Sequence, residues 1–207
     1  MSQAMQKEAM EGTVQPPPPL ARTLVFVGLM GAGKTSVGRR VARLANADFV
    51  DADDEIVAAA GCSIPEIFES FGEEKFRDLE RRVVARLLEG PPIVLSLGGG
   101  AFMDDTTRTL VLSQADSVWL KAELDILLSR VLRKRQTRPL LAKGDPAKTL
   151  AALIEERHPV YALADHVVES GNQSADAMAT EIVALLREKG VLAGASDAAA
   201  AAAGSGE

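Results

Sequence analysis

Eight consecutive residues, Gly28-Leu-Met-Gly31-Ala32-Gly33-Lys34-Thr35, constrain this chain more than any other feature of its sequence. They satisfy G-x-x-x-x-G-K-[ST], and the setting is the required one: an apolar run, TLVFVG at 23–28, leads in, and a helical pattern leads out. Glycines let the backbone turn so that successive N–H groups face phosphate oxygens. The helix start adds the positive end of its dipole. Lys34 brings a cation to the β- and γ-phosphates, and the Thr35 hydroxyl suits Mg²⁺, which keeps most of its waters and takes few protein ligands. The pattern predicts a phosphate-binding P-loop, with Gly31, Ala32, Gly33, Lys34, Thr35 and Ser36 as the residues around the nucleotide.

Strand and helix signals alternate from there on. TLVFVG, ADFVD at 47–51, IVLSL at 93–97, SVWL at 117–120 and DHVVE at 165–169 are short apolar or β-branched runs, and they predict five strands. Between them, helical spacing puts Val37, Val41 and Leu44 on one face. The capping box Ser63-Ile-Pro-Glu66 opens a second helix that Gly72 is expected to end. A further helix over 73–89 turns Phe76, Leu79, Val83 and Leu87 inward, and others are predicted near 123–134, 146–158 and 174–189. This alternation predicts an α/β fold, a three-layer P-loop arrangement with a five-stranded parallel sheet and helices on both faces. Ligands in such a sheet bind at the carboxyl ends of the strands. The domain expected is 22–190. Residues 1–21, with four prolines at 16–19, and residues 191–207, rich in alanine, read as disordered or low-complexity tails.

Charge and composition exclude several function classes. Asp and Glu number 29 against 23 Lys and Arg, a formal net charge of −6, so no nucleic-acid partner is expected. One cysteine, Cys62, cannot make an internal disulfide, and neither His158 nor His166 has a zinc-ligand neighbour at the right spacing. The first twelve residues lack the apolar core of a secretion signal, and no stretch nears the roughly 18 apolar residues of a membrane span. A cytoplasmic protein is expected, with no membrane partner, and a monomer, since no helix shows a surplus apolar face.

P-loops serve kinases, GTPases and ATPase motors alike. The D-x-x-G and N-K-x-D patterns of a signalling GTPase are absent from this sequence. The buried-looking strand at 93–97 runs into Gly98, Gly99 and Gly100, not into the metal-binding Asp that many P-loop ATPases have there. Acids come instead at Asp51 and Asp53. In extended chain, carboxylates at i and i+2 share a side, about 6–7 Å apart. One then reaches the Mg²⁺ shell while the other accepts a hydrogen bond from a substrate hydroxyl. The spacing equally allows Asp53 and Asp54 simply to cap the short helix that runs towards Gly61.

Residues 28–35, the Phe49-Val-Asp51-Ala-Asp53 run, Phe76-Arg77-Asp-Leu-Glu80, Ser96-Leu-Gly98-Gly99-Gly100-Ala, Arg138-Pro-Leu-Leu and Arg157-His-Pro-Val-Tyr161 occur in this order. Together they resemble the shikimate kinase family over nearly all of residues 23–189. The resemblance implies Mg²⁺-dependent transfer of the γ-phosphate of ATP to the 3-hydroxyl of shikimate, a step towards chorismate and the aromatic amino acids. By that likeness Asp53 is the base on the acceptor hydroxyl, and Asp51 holds Mg²⁺ through water beside Thr35. Arg77 and Arg157 clamp the substrate carboxylate, and Gly98, Gly99 and Gly100 let backbone approach the ring, Gly99 offering an N–H. Catalysis then rests on Asp53, Lys34 and Arg138. The likeness also implies a substrate-binding segment at about 51–90 and a lid at about 134–146, with Arg138 on the ATP phosphates. Residue chemistry agrees: planar guanidinium groups match carboxylates, and a glycine triplet at a strand end fits close approach to a ligand.

Plainer readings stand beside these. Arg77 is three residues from Glu80 and fits a surface ion pair. Arg157, near a helix end, fits an interaction with the helix dipole. Arg130, Arg133, Lys134, Arg135 and Arg138 make a basic cluster that suits a solvated face as well as a phosphate-facing lid. Cys62 and Trp119 are expected to fill apolar space, and both histidines to be structural. The rival activities are a related kinase of gluconate or of a nucleoside monophosphate, and an ATP-binding module without chemistry.

Overall fold

The computed structural model describes residues 20–133 and 145–192. Arg138, the expected lid except its last two residues, 145 and 146, and most of both expected tails lie outside them.

Five strands form one fully parallel sheet: β1 (Thr23–Val27), β2 (Phe49–Asp51), β3 (Val94–Ser96), β4 (Ala115–Lys121) and β5 (His166–Glu169), in the order β2-β3-β1-β4-β5. β1 is central, and all five of its residues are buried, as expected of a strand covered on both faces. Register then positions the chemistry. Phe26 of β1 and Asp51 of β2 both pair with Ser96 of β3, so the turns after these three strands leave one edge of the sheet together. The P-loop follows β1 and the glycine triplet follows β3, while Asp51 is the last residue of β2 and Asp53 comes two residues on.

Among the described residues, seven α-helices connect and flank the strands: α1 (Lys34–Leu44), α2 (Ala52–Ala60), α3 (Ile64–Leu88), α4 (Asp105–Gln114), α5 (Leu124–Leu132), α6 (Pro146–Tyr161) and α7 (Ala175–Glu188). The main core gathers Leu24, Phe26, Leu95, Leu97, Val118 and Leu120 from the sheet region with Val41, Phe102, Leu127, Leu150, Tyr161 and Leu186 from the helical layers and the turn after β3. A satellite cluster, Ile56, Ile67, Phe76 and Val83, joins α2 to α3, with Cys62 half-buried against it. Among the described residues, no helix is long and apolar enough to cross a membrane.

Gly72 breaks the helical run as expected: its φ 80° and ψ 174° are non-helical and suit only glycine, so α3 is two helical segments meeting at a kink there. Several other local expectations change. Leu44 is 38% exposed, because α1 ends on it and the inward face is carried by Val37, Gly38, Val41 and Ala42. α6 runs on to Tyr161, and α4 was not foreseen from its Thr-rich sequence DTTRTLVLSQ. Asp104 caps α4, its carboxylate accepting the Thr107 N–H at 2.9 Å.

Candidate active site

The loop after β1 has the shape its glycines permit. Gly28 lies at φ 135°, and a side chain there would meet the Leu120 carbonyl at 2.7 Å. Gly33, at φ 105°, is the residue from which α1 starts. The Lys34 ammonium reaches back over the loop and donates to the carbonyls of Gly28 (2.7 Å) and Leu29 (3.2 Å). Thr35 and Ser36 are exposed in the first turn of α1, while Ala32 is buried and Gly31 half-buried.

The acids are arranged differently from the extended pair that spacing allowed. β2 stops at Asp51, which is the N-cap of α2, and Asp53 already lies in that helix's first turn. Asp51 uses both oxygens: Oδ1 accepts the Asp53 N–H at 3.2 Å, and Oδ2 accepts the Thr35 hydroxyl at 2.8 Å. One carboxylate thus ties the phosphate loop to the segment carrying Asp53. A hydroxyl beside a carboxylate oxygen is a pair of hard donors of the kind Mg²⁺ takes.

The other candidates among the described residues meet at the triplet after β3. A β-carbon on Gly98 would lie 2.7 Å from Asp53 Oδ1 and 3.2 Å from Glu80 Oε1. One on Gly99 would lie 3.7 Å from Arg157 Nη1, 3.7 Å from the Gly28 carbonyl and 3.8 Å from the Met30 nitrogen. One on Gly100 would lie 2.7 Å from both terminal nitrogens of Arg77. Arg157 is not left to a helix dipole: its Nη1 donates to the Gly99 carbonyl at 2.9 Å.

Sequence reasoning missed three participants. Arg77 does pair with Glu80, at 2.6 Å, and with Glu73, at 3.3 Å, but Glu80 is only 3% exposed, so this is no surface pair. Burial pushes the Glu80 carboxyl up against the opposing pull of Arg77, with the Asp53 charge adding to the rise. Burial depresses the Arg77 guanidinium, yet its two glutamates outweigh that and hold it above its ordinary value. Tyr161 is the second: its hydroxyl donates to the same Gly99 carbonyl as Arg157. The third is Arg130, whose Nη1 donates to the carbonyls of Gly31 (3.3 Å) and Ala32 (3.2 Å) and to Ser170 Oγ (2.9 Å). It braces the loop from behind; burial, then Arg133, lowers its pKa. Glu80 and Tyr161 had a signal, as both stand inside quoted motifs; Arg130 stood out only as one of a basic cluster.

A parallel sheet of this order with a phosphate loop, a tethered acid pair and an arginine-lined glycine turn at one edge defines a P-loop phosphotransferase. The family model for shikimate kinase matches residues 30–187. A shikimate kinase of Paramagnetospirillum magneticum is 51% identical over 164 residues, 79% of this chain and 84% of that protein. One from Cereibacter sphaeroides is 53% identical over 163 residues, 79% of this chain and 81% of that protein. Among solved structures, a shikimate kinase from Acinetobacter baumannii in complex with shikimate superposes with a TM-score of 0.77 at 35% identity, covering 81% of this chain and 94% of that one. This chain belongs to the shikimate kinase family.

Proposed function

We propose that this chain transfers the γ-phosphoryl group of ATP to the 3-hydroxyl of shikimate, giving shikimate 3-phosphate and ADP, with Mg²⁺ bound beside the nucleotide. The observation that carries this reading is the convergence on the glycine triplet, where Asp53, Arg157 and Arg77 lie around three consecutive residues that also touch the phosphate loop. Two guanidinium groups suit the carboxylate of a small acid, and the carboxylate on the loop side suits its alcohol. Three residues without side chains leave room for a ring between them.

Phosphoryl transfer asks for alignment and charge neutralisation. Asp53 accepts the proton as the acceptor oxygen bonds to the γ-phosphorus, and the bond to the β,γ-bridging oxygen breaks, leaving that oxygen on ADP. Lys34, now on the Gly28 and Leu29 carbonyls, is within reach of the phosphates in the same loop. Thr35 and Asp51 would hold Mg²⁺, which would neutralise charge on the β- and γ-phosphates. Arg138 is assigned to the ATP phosphates by family likeness alone. One chain supplies every residue named, so the active form proposed is a monomer.

The test is a coupled assay for ADP with the purified full chain, shikimate and gluconate side by side, with and without Mg²⁺. ADP formation that requires both shikimate and Mg²⁺ is expected. Faster turnover of gluconate, or nucleotide binding with no product from either acid, overturns the reading.

A further inference from the structure

The Gly99 carbonyl receives two donors from one helix. Arg157 and Tyr161 stand four residues apart on α6, hence on one face, and the Arg157 Nη1 and the Tyr161 hydroxyl converge on that single oxygen. The tyrosine is 1% exposed, so it cannot itself meet a ligand in the site. Its ring is held by Trp119 and Phe102, with centroids 6.0 and 6.5 Å away.

Three glycines in a row have little conformational preference of their own, and ordering them costs more backbone entropy than ordering any other tripeptide. A built-in restraint is therefore needed wherever such a segment must present one geometry. The peptide group is planar and trans, so pulling the Gly99 carbonyl towards α6 turns the Gly100 N–H to the opposite side. That same plane lies between the two guanidinium groups: Arg157 is on its carbonyl, and Arg77 crowds the Gly100 α-carbon. Its orientation fixes how the backbone and the two cations face one another.

We propose that Tyr161 is a positioning residue for the acid-binding end of the site, holding the plane between Gly99 and Gly100, and the Arg157 group that shares its carbonyl, in the orientation that receives the substrate carboxylate. This rests on the reading of Arg157 and the triplet as shikimate-binding. A phenol suits the task better than another cation, since it anchors a neutral carbonyl without competing for the anion. Burial pushes its pKa to about 12, which keeps it a donor at any working pH.

Tyr161→Phe keeps the ring and removes only the donor. The expected result is a rise in KM for shikimate of about three- to ten-fold, the worth of one hydrogen bond, with KM for ATP unchanged. A purely structural hydroxyl would lower Tm and leave both KM values alone, which overturns the proposal. Arg157→Met is measured alongside. If it leaves shikimate KM unchanged, the reading of the site fails and the proposal with it. If Arg157→Met raises that KM while Tyr161→Phe does not, only the proposal fails. Tyr161 is the chain's one tyrosine, so labelling with fluorotyrosine gives a single fluorine NMR signal from otherwise unaltered protein. That signal should move when shikimate is added, and its failure to move would count against the proposal even if the phenylalanine variant did not fold.

Discussion

The Thr35 hydroxyl donates to Oδ2 of Asp51 at 2.8 Å, and through that bond the phosphate loop and the acceptor side of the site share one carboxylate. The other oxygen of Asp51 holds the backbone N–H of Asp53 at 3.2 Å. A change at Asp51 therefore reaches both substrates, whereas a change at the Asp53 side chain should reach only the accepting alcohol.

Asp53→Asn tests the second half of that statement. Losing a general base lowers kcat by about 10²- to 10⁴-fold. ATP affinity, measured by equilibrium binding, should stay within about two-fold, because the variant keeps the N–H that Asp51 grips. Wild-type kcat in this variant would remove Asp53 from the role of base.

Asp51→Asn separates capping from metal binding. Asn caps helices about as well as Asp, so Tm should scarcely change, whereas Asp51→Ala should cost about 1 kcal/mol of stability. Both variants lose the anionic oxygen beside Thr35, and the Mg²⁺ concentration for half-maximal rate should rise in each. An unchanged Mg²⁺ requirement in the Asn variant would leave Asp51 with only its structural bonds.

Glu80 tests whether Arg77 needs a buried partner. Glu80→Gln keeps the shape and weakens the 2.6 Å tie to Arg77, so shikimate KM should rise by about three- to ten-fold with ATP KM unchanged. Stability should move the other way with pH. Burial raises this carboxyl in the folded protein, so the folded state holds its proton longer than the unfolded chain. Its contribution is fully present below the unfolded carboxyl range and is lost as pH rises through the folded titration. In thermal melts across acidic pH, the Gln variant should lack that loss.

Most of this site was legible because its residues sit at fixed distances from strand ends, and strand ends are announced by apolar runs that stop at Gly28, Asp51 and Gly98. The parallel direction of the sheet followed from the alternation of elements, but its strand order did not. What escaped was whatever depends on the third dimension. Glu80 is charged, and sequence gives it no reason to be buried; only the folding of α3 against the triplet desolvates it. Arg130 reads as one of several lid-side cations until α5 sets it behind the loop, on the carbonyls of Gly31 and Ala32. Spacing left Asp53 open between extended chain and the start of a helix; the Asp51 cap decides it, because the helix begins one residue later.

Tyr161 offers a titration free of overlap, as no second tyrosine exists. Its phenolate absorbance should develop with a midpoint at about 12, since burial raises it from 10.0, with Arg157 opposing. The folded state is then the more protonated one between those values. Stability should hold up to the unfolded midpoint and decline as pH climbs through the folded one. A phenolate appearing near 10 in the folded protein would mean that the ring is not buried on α6.

Two glycine-to-alanine changes should separate geometry of the site from geometry of the chain. Gly98 has no left-handed φ, so alanine is acceptable to its backbone, but the new methyl would lie 2.7 Å from Asp53 Oδ1 and 3.2 Å from Glu80 Oε1. The carboxylate must give way, and a displaced base can lose about 10²-fold in rate for roughly 1 Å. Gly98→Ala should therefore melt near wild type and turn over poorly. Gly72 is the opposite case: nothing lies within 4 Å of its β-position, but its φ of 80° with ψ of 174° is a conformation that alanine resists. Gly72→Ala should lower stability by about 1–3 kcal/mol, because α3 must either strain or straighten. Ile67, on the far side of the kink, packs with Phe76 in the satellite cluster, so a straightened helix would pull that cluster apart before it reached the glycine triplet. Wild-type kcat at a temperature where Gly72→Ala is still folded, set against the collapse of kcat in folded Gly98→Ala, is the pattern expected from parallel melts and assays; the reverse pattern would mean that Asp53 tolerates displacement and that the kink governs the chemistry.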